Sequence, residues 1–275
     1  MMLKPELEAI EIDLLLDGIH RHYGYDFRGY SRASMVRRLK KFIRDEGMRS
    51  VSDLQSQALH DSMTMSRLIA TMSVNVTAMF RDPEFFRAFR KLVVPRLQTY
   101  PYLRLWVAGC STGEEAYSLA ILLHEEGLLE RSRIYATDFS DKNVQQAKAG
   151  VFPLKSMRGY TESYIAAGGQ TSFAEYYSAK YGQAKLKTYL SENISFAQHN
   201  LVVDQSFNEF HVIFCRNVMI YFDQNLQEHV MHLLRDSLAP FGYLGIGIKE
   251  SIFPTSFRQQ FNELGEGTRL FQMCN

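Results

Sequence analysis

The spacing of apolar residues changes character near residue 100. Upstream it is helical. In "SRASMVRRLKKFIR", residues 31–44, Met35, Val36, Leu39, Phe42 and Ile43 recur at the period that places them on one face of a helix. Gly47, after "IRDE", supplies a C-cap, and "SVSDLQSQAL" offers Ser and Asp as caps for the next helix. No strand pattern precedes Met72, so residues 1–72 are predicted to form a small all-helical domain. Downstream, "LRLWVAG", "SRIYATDFS", "ISFAQHNL", "FHVIFCRNV" and "GYLGIGI" are short apolar runs rich in β-branched and aromatic residues. The helical patterns "EEAYSLAILLHEEG", "DKNVQQAKAG" and "QNLQEHVMHLLRDSLAPFG" fall among them. Strands alternating with helices predict a parallel sheet covered on both faces, with ligands bound beyond the carboxyl ends of its strands. The alternation lapses at about 151–192, where "YTESYIAAGGQTSFAEYYSAKYGQAKLKTYL" reads as an inserted antiparallel subdomain.

Composition narrows the class. A chain of 275 residues with 46% hydrophobic and 22% charged residues is that of a globular protein with a substantial core. No apolar run reaches the ~18 residues of a membrane span. The acidic, amphipathic "MMLKPELEAIEIDLLLDGI" lacks the basic start of a signal peptide. Cys110, Cys215 and Cys274 are odd in number and lack metal-type spacing, so reduced thiols, a cytoplasmic location and no metal are expected. Cys110 and Cys215 read as packing residues, and the eight histidines are scattered. The net charge of +1 hides a local excess: residues 31–44 carry Arg32, Arg37, Arg38, Lys40, Lys41 and Arg44 and no acid.

The segment "VAGCSTGEEAYSLA", 107–120, carries the chemistry. Between a strand and a helix, Gly109 and Gly113 permit left-handed backbone and the close approach of a ligand. The turn is neither GxGxxG nor a P-loop. Helix N-termini favour anions, yet this helix opens with Glu114 and Glu115, which a pyrophosphate would have to face. Asp138, ending the second strand, is placed to accept hydrogen bonds from ribose hydroxyls. A glycine turn without phosphate-binding features, acids at the first helix and an acid after the second strand point to S-adenosylmethionine, which has a ribose, a sulfonium and an α-amino group but no phosphate.

Three segments, "SVNVTAMFRDPEFF" (73–86), "AGCSTGEEAYSLA" (108–120) and "FCRNVMIYFD" (214–223), together with "ATDFSDKNVQQAKAGVF" and the basic helix, closely resemble the CheR family of chemoreceptor glutamate O-methyltransferases. The resemblance covers about residues 10–273. It implies a Rossmann-like class I methyltransferase sheet at 101–275, a cofactor-covering linker at 73–100, and S-adenosylhomocysteine as product. Carried over by position, Asn75, Thr77 and Arg81 would lie over the cofactor at the junction of the two domains. Gly109 would admit it, Glu115 would hold its methionine end and Asp138 its ribose. Asn200 and Leu201 would lie beside the adenine, with Arg216 and Asn217 at the reactive end. Arg81 and Tyr221 would orient the reacting groups. Met79 stands where the family has an aromatic residue, and "GIGIKES" departs from a "GHSE"-like strand ending, with Lys249 in place of a polar residue.

Transfer to a glutamate needs no general base, because a free glutamate with a pKa of about 4.3 is already ionised at neutral pH. This fits the absence of a His/Asp or Cys/His constellation in the sequence. Arg37, Arg38, Lys41 and Arg44 would dock the acidic helical bundle of a receptor's cytoplasmic part. The insert gives no clear match to a loop that binds a receptor's C-terminal peptide. A monomer that neither binds nucleic acid nor inserts into a membrane is expected. A nucleic-acid methyltransferase and a non-catalytic cofactor-binding scaffold are the rival readings; no aromatic–basic interleaving or "NPPY"-like tetrapeptide favours the former.

Overall fold

The computed structural model describes residues 4–72, 77–251 and 255–274. The chain divides into two compact units, residues 1–74 with 221–229, and residues 75–220 with 230–275. The first unit therefore takes in a segment that chain order would group with the sheet.

The first unit contains α1 (Lys4–Tyr23), α2 (Arg32–Asp45), α3 (Val51–His60) and α4 (Ser62–Met72). On α2, Met35, Leu39 and Phe42 are buried at i, i+4 and i+7, the stripe that the periodicity predicts. They join a core with Ile12, Leu15, Leu16 and Ile19 of α1 and Leu54, Ala58, Leu68 and Met72 of α3 and α4. Gly47, at φ +68, ends α2 in the left-handed conformation that glycine adopts freely. Ser50 caps α3 by accepting from the Asp53 amide at 3.1 Å.

The second unit opens with α5 (Pro83–Leu92) and α6 (Val94–Leu97), followed by β1 (Leu103–Ala108), α7 (Glu114–Glu125), β2 (Ser132–Asp138) and α8 (Asp141–Ala149). Next come β3 (Val151–Pro153), α9 (Met157–Ala166), β4 (Tyr177–Lys180), β5 (Gln183–Leu186) and α10 (Thr188–Glu192). The chain continues through β6 (Ile194–Gln198), β7 (Phe210–Cys215), α11 (Gln224–Asp236), β8 (Leu238–Ile246), α12 (Thr255–Arg258), β9 (Phe261–Glu263) and β10 (Leu270–Met273). The main sheet has the order β6-β2-β1-β7-β8-β10-β9. Its first five strands are parallel and β10 is antiparallel to both neighbours.

Strand order reverses between β1 and β7, which puts the crevice of such a sheet beyond the ends of β1, β2 and β7. This is a Rossmann-like sheet. The insert forms a separate antiparallel sheet, β3-β5-β4, as its lapse in alternation predicts.

One element boundary differs from the sequence pattern. "LAPFG" belongs to β8 and not to the preceding helix, which stops at Asp236. Ser237 Oγ turns back to the Leu233 carbonyl at 2.7 Å, and Pro240 has no amide to continue a helical ladder. The strands β9 and β10, three and four residues long, are too short to show a period.

Candidate cofactor site

Apart from Tyr221 and the basic helix, the candidate residues belong to the sheet unit. Beyond β1 the backbone turns through Gly109 (φ +74), Ser111 (φ +50) and Gly113 (φ +98) before α7 begins. The Gly109 and Cys110 amides both donate to the Thr137 carbonyl at 2.8 Å, which ties this turn to the end of β2. A Cβ on Gly109 would meet Val218 Cγ2 at 2.5 Å, so this glycine is required by both its dihedral and its neighbour.

Asp138 organises the same turn. One carboxylate oxygen accepts from the Ser111 amide at 2.9 Å, and the other from the Ser140 amide at 2.9 Å and Asn143 Nδ2 at 3.1 Å. Burial raises its pKa, while these three donors pull the other way. An ionised carboxylate offers about four lone-pair sites, so one remains for a hydroxyl donor.

The two acids of α7 separate clearly. Glu114 is buried and accepts from Thr112 Oγ1 at 2.6 Å and Tyr160 Oη at 3.4 Å, and burial raises its pKa. Glu115 retains 14% side-chain exposure and accepts from Arg216 Nη1 at 2.5 Å. Burial raises its pKa too, against the opposing charge and hydrogen bond of Arg216. The sequence sets these acids side by side; the structure leaves Glu115 the more exposed of the two.

Arg216 follows β7 with a fully buried side chain. Besides Glu115, it donates through Nη2 to Asp82 Oδ2 at 2.9 Å and to the Arg81 carbonyl at 3.0 Å. Its guanidinium lies 4.0 Å from the Phe85 ring centroid. Removing one member of such a buried ionic group costs about 3–5 kcal/mol, since a charge is left uncompensated.

Asn217 is left-handed at φ +60, a conformation in which Asn is enriched. Its amide donates to Glu250 Oε2 at 2.8 Å, as does the Gly247 amide at 2.6 Å. Glu250 is buried; the sequence reading of "GIGIKES" singled out Lys249 beside it and not this acid. Further along, the Asn200 amide donates to Asp204 at 2.7 Å and its side-chain oxygen accepts from the Val202 amide at 3.0 Å. Leu201 beside it is buried. Thr77 and Arg81 are half-buried, whereas Met79, at the family's aromatic position, fills the core with no exposure. Asn75 lies outside the described residues.

Tyr221 groups with the helical unit. Its carbonyl accepts from the Ser31 amide at 2.7 Å, and the Arg38 guanidinium sits 4.6 Å from its ring centroid. Arg38 also donates to the Met72 carbonyl and is half-buried, its pKa lowered chiefly by burial. It is less exposed than Arg37 and Lys41 on the same helix. The exposed face is a shallow groove lined by Ala33, Val36, Arg37, Lys40, Lys41 and Arg44. Within it, Lys40 pairs with Glu8 at 2.7 Å.

Comparison with known proteins agrees with both units. The family described as CheR methyltransferase, SAM binding domain, matches residues 75–268, and CheR methyltransferase, all-alpha domain, matches residues 10–73. A protein named putative methyltransferase Cher3 from Pseudomonas putida is 46% identical over 263 residues, 96% of each chain. Proteins named chemotaxis protein methyltransferase are 29% identical in Listeria innocua, over 85% of this chain and 87% of that one, and 30% identical in Salmonella typhimurium, over 79% and 74%.

Proposed function

Because the chain belongs to the CheR methyltransferase family, whose larger domain binds S-adenosylmethionine, we propose that it methylates glutamate side chains on the cytoplasmic helical part of a chemoreceptor. The observation that carries the cofactor assignment is the Glu115 and Asp138 pair around a glycine turn that has no room for a Cβ at Gly109. Glu115 meets the α-amino group, Asp138 the ribose, and Asn200 and Leu201 the adenine. When bound, the cofactor supplies an electrophilic methyl group on a sulfonium. The reaction it would support is methyl-ester formation on a glutamate side chain, with S-adenosylhomocysteine as the other product. The protein's own contribution is alignment, which is worth roughly 7–11 kcal/mol when attack geometry is enforced. Arg81 and Tyr221 orient the carboxylate and the donor, Arg81 positioning its partner without neutralising it.

The test is transfer of labelled methyl from S-adenosylmethionine to a receptor cytoplasmic fragment, to RNA and to buffer alone. Base-labile label on receptor glutamates supports the reading. Label on RNA only, or cofactor binding without any transfer, removes it.

Two further results are expected. Since burial raises the Glu115 pKa above 4.5, its proton is retained further up the pH scale than in the unfolded chain. Its ionisation therefore counts against folding as pH rises through that raised value. An ammonium beside it favours the ionised form, so S-adenosylhomocysteine affinity should climb with pH across the same window, above 4.5. Calorimetry from acid to neutral pH checks this, and Glu115→Gln should both weaken binding and flatten the pH profile.

The second concerns the basic groove. Reversing Arg37 and Lys41 to Glu should raise KM for receptor about tenfold at low salt, less at high salt where screening shortens the range of the field. Affinity for S-adenosylhomocysteine should not change. A KM independent of these charges at low salt would assign docking elsewhere.

A further inference from the structure

We infer that Asp82 is a positioning residue, clasped by Arg216 so as to fix Arg81 in a strained knuckle of the chain. This rests on the proposed cofactor role of Arg81. Three observations within the sheet unit carry it.

First, Phe80 and Asp82, on either side of Arg81, both have left-handed backbone, at φ +51 and +57. Neither is glycine, and such strain persists only where surrounding structure over-determines it. Second, the knuckle is held from both ends. The Phe80 amide donates to Ser118 Oγ on α7 at 2.8 Å, and Phe80 itself is buried. On the other side, Arg216 Nη2 takes both the Arg81 carbonyl at 3.0 Å and the Asp82 carboxylate at 2.9 Å.

Third, Asp82 forgoes its local role. An Asp before "PEFF" has the sequence of an N-cap, and it occupies that position on α5, yet its side chain makes no capping hydrogen bond. Its carboxylate is directed to Arg216 instead. The fork of one guanidinium thus joins the Arg81 knuckle to Glu115, so the ammonium-facing acid and Arg81 are set by a common part. Arg216, expected from the sequence to touch the cofactor, acts here through its neighbours: its side chain has no exposure.

Asp82→Asn and Asp82→Gly test this, because Asn and Gly both tolerate the left-handed conformation and either can replace the other if one fails to fold. The readout is S-adenosylhomocysteine affinity by calorimetry, with thermal unfolding as the check on the fold. Each variant should weaken binding about tenfold, whereas Glu84→Gln, an exposed acid two residues on, should stay within twofold of wild type. In an Arg81→Ala background the Asp82 substitutions should cost less than they do alone, since part of what they disturb is already gone. Wild-type affinity in both Asp82 variants, or losses that multiply in the double variants, would overturn the clasp while leaving the cofactor assignment intact. Absence of binding to the wild-type protein would overturn both.

Discussion

Gly109→Ala is expected to weaken S-adenosylhomocysteine binding by about a hundredfold and to lower the melting temperature. Two separable penalties lie behind the figure. A side chain at φ +74 carries the left-handed strain, about 1–2 kcal/mol. The new Cβ would also sit 2.5 Å from Val218 Cγ2, and relief of such an overpacked contact costs about 1–3 kcal/mol. A hundredfold corresponds to about 2.8 kcal/mol, within the combined range. Where the turn shifts to relieve these penalties, the ligand has to restore it, and affinity falls; where it is held, with the Gly109 and Cys110 amides on the Thr137 carbonyl and Ser111 on Asp138, the melting temperature falls instead.

The two penalties are told apart by a second change. Val218→Ala deletes the clashing atom, so Gly109→Ala/Val218→Ala should recover about tenfold while the dihedral strain remains. Calorimetry and thermal unfolding on the four proteins complete the cycle. Binding by Gly109→Ala within twofold of wild type would mean that this turn does not hold the cofactor.

Much of the geometry around Gly109 is legible in the residues alone, and the reasons are physical. Gly109 and Gly113 announce left-handed turns, the β-branched runs announce strands, and the acid ending β2 falls where a parallel sheet opens its crevice. Asn217 carries a weaker signal, since Asn tolerates positive φ. What stays hidden depends on distance along the chain or on rotation about a helix axis.

The partners of Arg216 are 101 and 134 residues away, and no local pattern encodes such a pairing. Nothing in "MFRD" signals that Phe80 and Asp82 are left-handed, because residues with a side chain are uncommon in that region. Glu250 is separated from Asn217 by the whole of α11 and β8, and a lone acid in "IKES" has the look of a surface residue. The half-burial of Arg38 is hidden in the sequence because a six-cation helix reads as uniformly basic. A turn of one position decides between the outer groove of Arg37 and Lys41 and the inner face against Tyr221.

Tyr221→Phe is expected to lower methyl transfer at least tenfold while leaving the fold and S-adenosylhomocysteine affinity within about twofold of wild type. The substitution removes one hydroxyl and keeps the ring. The Arg38 guanidinium stacks on the ring as well as interacting with the hydroxyl, and the backbone on either side is fixed independently: the Ser31 amide donates to the Tyr221 carbonyl at 2.7 Å and the Asp223 amide to the Gly29 carbonyl at 2.8 Å. Phe222 adds an edge-on contact with Tyr30, 5.0 Å between centroids. A local structure held by this many groups should survive the loss of one oxygen, so a fall in rate would report on chemistry.

Tenfold is about 1.4 kcal/mol, close to the lower end for a hydrogen bond to a charged partner, about 1.5–3 kcal/mol, after a small allowance for water taking the vacant place. Arg38→Ala should follow the same pattern, with turnover falling and receptor KM changing little, because it acts on the ring of Tyr221 from inside the helical unit. The Arg37 and Lys41 reversals should show the opposite split. Initial rates over a range of receptor concentrations distinguish the two behaviours. If Arg38→Ala raised KM and left turnover intact, the side chain would belong with the docking face after all, and Tyr221 would owe its orientation to the backbone contacts alone.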